Sequence, residues 1–131
     1  MKLAVVALIA VASAGAPPSP AEAASWYHAR PECLDEEAAL SRQGFTRADI
    51  RKAAWIAWRE SGCGRDLVNE RTQDWGHWQF HWAYWRHELC KARIACDRRQ
   101  LLDLRSSAKA VKYAHQRYGW KPWCYQKCPW Q

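Results

Sequence analysis

A single small domain, mainly helical with a short turn or hairpin region and held together by disulfides, is the fold class this sequence predicts. Three observations predict it. Thr46 to Ser61 and Ser106 to Tyr118 carry apolar residues at helical spacing. Between them lies Gly62 to Gln79, polar and rich in turn residues, with no strong run of strands. All six cysteines, Cys33, Cys63, Cys90, Cys96, Cys124 and Cys128, follow an apolar leader.

That leader is Lys2, the run Leu3 to Ala14, and then Ala21-Glu22-Ala23, the layout of a secretory signal peptide over residues 1–23. The run is too short to serve as a stable membrane anchor, so the expectation is a secreted or periplasmic domain over residues 24–131. An even number of cysteines in a short exported chain reads as a disulfide framework supplementing a small core. Cys90 with Cys96 and Cys124 with Cys128 are close enough for local bridges, and long-range pairings stay open. Lys2 and Glu22 cancel, so the domain keeps the full net charge of +7 and is drawn to polyanionic surfaces such as bacterial walls, anionic lipids or nucleic acid. Charge alone does not choose among them.

In chain order, Ser25 to Pro31 is an extended lead-in. Leu34 to Gln43 is a short helix whose Asp35, Glu36 and Glu37 suit the positive end of the helix dipole, and Gly44 ends it. Thr46 with Asp49 is a variant capping box, and Gly62 and Gly64 stop the helix it starts. At about 100° per residue, Ile50, Ala53, Ala54, Ile56, Ala57 and Trp58 share one arc, with Lys52 and Arg59 opposite. Phe80 to Cys90 returns to helix-compatible residues, with Trp82 and Trp85 expected in the core. Lys91 to Leu104 is a charged connection with a helical piece near Gln100 to Leu104. Ser106 or Ser107 then caps a helix that puts Ala108, Val111, Ala114 and Tyr118 on one face and ends at Gly119 and Pro122.

Glu60 falls inside the apolar arc, between Ile56 and Ala53. Loss of hydration and the negative helix end both penalise its charged form, which suits a general acid. Asp74 precedes Trp75-Gly76 in a tight turn where backbone N–H groups hold a short carboxylate in its ionised form. Two carboxylates with such opposed settings form the pair used to cleave glycosidic bonds. The bland alternatives are a solvated helix-end glutamate and an aspartate that only holds its turn.

Glu60-Ser61, Asn69, and Asp74-Trp75-Gly76-His77-Trp78-Gln79-Phe80 resemble the Glu-Ser, Asn and Asp-Tyr-Gly-x-x-Gln-aliphatic pattern of the lysozyme superfamily, which includes animal-type lysozymes and soluble lytic transglycosylase domains. The likeness extends more weakly to the helix ending in Tyr118-Gly119-Trp120. It implies a lysozyme-like α+β fold, with a smaller sheet because Glu60 and Asp74 lie closer in sequence than in animal lysozymes. The cysteine spacing differs from theirs, and the Tyr-Asn-Ala-Gly motif of many transglycosylases is missing.

The resemblance further implies a muramidase acting on the β-1,4 bond between N-acetylmuramic acid and N-acetylglucosamine, with Glu60 as general acid and Asp74 as nucleophile or charge stabiliser. Ser61, Asn69, Trp75, Trp78 and Gln79 are the candidate substrate-binding residues. Asn69 and Gln79 are equally amides that hold the turn, Ser61 a polar helix end, and the two tryptophans flat faces for a sugar. The expected partner is peptidoglycan rather than nucleic acid, and the expected state a monomer. A lytic transglycosylase on the same bond, and a cationic, Trp-rich wall- or membrane-binding protein without catalysis, are the competing readings. Neither paired Cys-x-x-Cys units nor His-Glu-x-x-His occurs, so no metal or other cofactor is expected. Serine hydrolase and phosphate-loop motifs are missing as well.

Overall fold

Two helices meet first. The structure is a computed structural model that describes residues 33–131, so the predicted signal peptide and the lead-in Ser25 to Pro31 lie outside the described residues. Helix α1 (Leu34–Arg42) starts on the expected acidic turn and buries Glu36, Ala39 and Leu40. Helix α2 (Arg47–Ser61) is capped as its sequence predicts: Thr46 Oγ1 accepts from the Asp49 amide at 3.2 Å, and Gly62 closes it at φ 60°. Ala53, Ala54, Ile56 and Ala57 form its buried stripe.

The turn-rich segment folds into a three-stranded antiparallel sheet, β1 (Val68–Asn69), β2 (Asp74–Trp75) and β3 (Phe80–His81), in that order. Its register pairs Asn69 with Asp74 and Asp74 with His81, and Val68 with Trp75 and Trp75 with Phe80. Directly paired residues share a face. One face therefore carries Trp75 and Phe80 into the core, while the other presents Asn69, Asp74 and His81. Gly76 packs against the Leu101 carbonyl so closely that a Cβ there would lie 2.5 Å from that oxygen, which makes glycine a steric requirement at this bend.

Two boundaries differ from the sequence reading. Phe80 and His81 are strand, so the helix expected from Phe80 begins two residues later as α3 (Trp82–Lys91). After a 3-10 turn at Arg98–Leu102, helix α4 (Leu104–Tyr118) is capped by Asp103, whose Oδ2 accepts from the Ser106 amide at 2.9 Å. Aspartate and serine cap about equally well, so what decides the start is that Asp103 lies three residues before the amide it accepts from. Ser107 is instead fully buried, its hydroxyl beside Gly76. On the predicted apolar face, Ala108, Val111 and Ala114 are buried and Tyr118 is 36% exposed. Trp85 belongs to the core with Leu40, Ile56, Trp78, Phe80, Leu89 and Leu101, whereas Trp82 is only partly buried.

Three disulfides join Cys33 to Cys63, Cys90 to Cys96 and Cys124 to Cys128. Both local bridges match the sequence spacing, and the remaining pair ties the start of α1 to the end of α2. No helix among the described residues is long and apolar enough to cross a membrane. Because Cys33–Cys63 closes a separation of 30 residues and the others only 6 and 4, chain entropy ranks it first. Replacing Cys33 and Cys63 by serine is expected to cost about 3.5 kcal/mol, against about 2 kcal/mol for either local bridge. Urea unfolding of the three double variants checks the order, and a smaller loss from the Cys33–Cys63 pair than from the others would contradict it.

Candidate functional site

Glu60 sits in the last turn of α2, but not as a lone carboxylate among apolar groups. Ile56 and Ala53 are fully buried, whereas the Glu60 side chain is 28% exposed and paired with Arg59. The guanidinium of Arg59, expected on the opposite face, folds back over the helix end. Its Nε and Nη2 both donate to Glu60 Oε1, at 3.0 and 2.6 Å, and Nη2 also donates to the Trp123 carbonyl. Stacking over the Trp55 ring at 5.0 Å holds it there. The expected desolvation is thus replaced by a charge-assisted pair, because an arginine long enough to curl round the helix end finds an acceptor at the C-terminal loop. Both bonds use Oε1, and Oε2 makes no hydrogen bond among the described residues.

Asp74 is likewise held differently from the expectation. It lies on β2 rather than in a tight turn, and side chains hold it instead of backbone N–H groups. Thr72 Oγ1 donates to Oδ2 at 2.5 Å, and the His81 ring meets Oδ1 at 3.2 Å across the sheet. The strand register is the reason, since it sets His81 directly opposite Asp74.

Most of the residues expected to touch sugar serve the fold. Trp78 is fully buried and its indole N–H donates to the Ala53 carbonyl at 2.8 Å, so it offers no face to a ligand. Trp75 is 8% exposed, with the Arg98 guanidinium 4.8 Å from its ring centre. Ser61 is buried, and its hydroxyl lies 2.7 Å from the His77 carbonyl while accepting from the Gly64 amide at 2.9 Å. Gln79, at φ 51°, donates its amide to the Leu67 and Gly76 carbonyls, and Asn69 Oδ1 accepts from the Thr72 amide. Trp78 is a correction to the sugar-contact reading, because a fully buried ring meets no ligand, whereas Asn69, Gln79 and Ser61 make the local bonds that their turn-holding alternatives describe.

Three features escaped the sequence reading. Arg59 beside Glu60 is one. A second is the buried pair His77–Glu36, 2.7 Å apart between Nδ1 and Oε1, joining the β2–β3 turn to α1. Burial pushes the Glu36 carboxyl up, but the His77 hydrogen bond, a backbone bond and the His77 charge outweigh it, and the net shift is down. A carboxyl depressed in the fold stabilises above its unfolded value and loses that contribution as pH falls through the folded value. Stability is therefore expected to drop as pH falls below about 4.5, the ordinary Glu value, and Glu36→Gln to flatten that drop. Melting temperature against pH for both proteins measures it, and parallel curves would refute it.

The third feature is a well of about 340 Å³ lined by Tyr84, Trp85, Tyr118, Lys121 and Pro122. Trp85 stands edge-on to both tyrosines, at 5.3 and 5.8 Å between centres, and Tyr84 is 65% exposed. Tyr118 donates its hydroxyl to Glu88 Oε1 at 2.7 Å. Pro122 is next to Trp123, whose carbonyl holds Arg59, so one loop carries both the well's wall and the anchor of the Glu60 pair. The signal in the sequence was Trp85, read as core packing alone, with the neighbouring Tyr84 passed over. Among the described residues no cluster of three or more His, Cys, Asp or Glu is placed to hold a metal ion.

No family model matches the chain, and no curated protein or solved structure matches it either.

Proposed function

We propose that this chain is an exported, peptidoglycan-cleaving glycosidase of the lysozyme type, cutting the β-1,4 bond between N-acetylmuramic acid and N-acetylglucosamine. The observation that carries the reading is the Ser61–His77 hydrogen bond. It joins the residue after Glu60 to the turn three residues beyond Asp74, and so ties the end of α2 to the sheet that carries Asp74. The Glu60-Ser61 and Asp74 to Gln79 motifs support it from the sequence.

In this reading Arg59 anchors Glu60 through Oε1 and leaves Oε2 to meet the glycosidic oxygen. Glu60 protonates that oxygen as the C–O bond breaks and positive charge develops on the sugar. Asp74 is assigned the carboxylate that stabilises that charge, and Glu60 then takes a proton from the attacking water. The aromatic well beside the same loop suits a single sugar ring, whose C–H face packs on an aromatic face while its hydroxyls reach the tyrosine O–H groups and Lys121. A basic chain carrying a disulfide framework suits an anionic wall outside the cytoplasm.

The Arg59 pair favours a second reading, in which Glu60 is only a structural anchor and the cationic, Trp-rich chain binds walls or membranes without cutting. Mass analysis of fragments released from purified peptidoglycan separates the readings. Muropeptides with reducing ends are the expected products, anhydro ends would make the protein a lytic transglycosylase, and a failure to release any soluble fragment would sink the enzymatic reading.

A further inference from the structure

We infer that His77, held by Glu36, is the positioning residue of the reaction proposed above, an inference that rests on the Glu60 reading. Catalysis by two carboxylates on separate elements needs their spacing fixed, and a misplacement of about 1 Å can cost on the order of 100-fold in rate. Helix α2 and the strand bearing Asp74 are joined along the chain by turns and the two-residue strand β1, so packing and hydrogen bonds must fix the spacing.

His77 does this from three directions. Its carbonyl lies 2.7 Å from the Ser61 hydroxyl, one residue from Glu60, and that hydroxyl in turn accepts from the Gly64 amide. Its ring lies against Gly64, at φ 81°, where an added Cβ would come within 2.5 Å of Cε1. Its Nδ1 meets Oε1 of Glu36, a carboxylate whose residue is 2% exposed. The imidazole is therefore wedged between the end of α2 and the first turn of α1, and the Cys33–Cys63 disulfide clamps the same two ends. A buried polar pair adds little net stability over an apolar filling, because desolvation offsets its attraction. What it does provide is direction: only one ring orientation satisfies Glu36, and that orientation sets where the His77 carbonyl holds Ser61.

His77→Ala, His77→Gln and Glu60→Gln made in the full chain test the inference, with turnover on soluble peptidoglycan fragments and amide hydrogen exchange at Gly64 as readouts. With the Cys33–Cys63 disulfide intact, His77→Ala is expected to fold, to lose tenfold or more in kcat with KM within about threefold, and to exchange Gly64 faster. His77→Gln, whose amide can still donate to Glu36, is expected to recover most of both. An unchanged kcat in His77→Ala, or a loss that His77→Gln does not relieve, overturns the positioning role. Should His77→Ala fail to fold, His77→Gln together with Glu36→Ala, which removes the acceptor, decides it: the first is expected to keep kcat and the second to lower it. If Glu60→Gln turns over like wild type, the Glu60 reading itself has failed. Gly64 exchange then judges the latch alone, with acceleration in His77→Ala upholding it and unchanged protection overturning it.

Discussion

Glu60→Gln is expected to fold like wild type, to keep binding cell walls, and to lose wall clearing by roughly 100- to 10,000-fold, the contribution of a positioned general acid. The fold should survive because the substitution keeps the shape of the side chain, and an amide oxygen still accepts from Arg59 in place of Oε1. Wall binding should survive because it draws on the net charge of +7 and the aromatic well, and neither requires a proton on Glu60. What the amide lacks is an ionisable group to deliver at Oε2. Turbidity decay of a wall suspension, with a pull-down on the same walls, separates the two properties. Clearing at the wild-type rate would end every mechanism built on Glu60 and leave the cationic binder standing.

Elements with a local code were legible in the sequence. Thr46, Asp49 and Gly62 define α2 through bonds made within a few residues, and the same holds for the acidic start of α1. The two short-range disulfides are also local, and once both form, Cys33 and Cys63 are the only partners left. The site was legible only where it is made of neighbours in the chain. Trp75 and Trp78 lie within the motif in sequence, yet the fold around it decides which way a ring points. That decision sent Trp78 under Ala53 and left Tyr84, unremarked in the sequence, on the surface. Arg59 looked solvent-facing by helical angle alone, because a wheel cannot register a loop that returns 64 residues later with the Trp123 carbonyl. His77 and Glu36 are 41 residues apart, and each alone reads as an ordinary surface residue.

Asp74→Asn is expected to lower turnover by about 100-fold or more, equivalent to about 2.7 kcal/mol of lost transition-state stabilisation, while products keep their reducing ends. The strand should tolerate the change. Asn can accept from Thr72 with its oxygen and donate to the His81 ring with its amide, so both contacts of Asp74 have a neutral counterpart. Only the negative charge is removed. In a retaining hydrolase that charge lies about 5 to 5.5 Å from the acid and attacks or shields the anomeric carbon, so its removal should stop the reaction rather than weaken binding. In a transglycosylase the sugar's own groups stabilise the intermediate, and an aspartate tied to Thr72 and His81 would only brace the sheet. Its neutral counterpart would then keep most of the rate. Steady-state kinetics of Asp74→Asn, run beside masses of its products, distinguish these outcomes: a variant that retains most activity and releases anhydro ends would move the protein from the hydrolases to the transglycosylases.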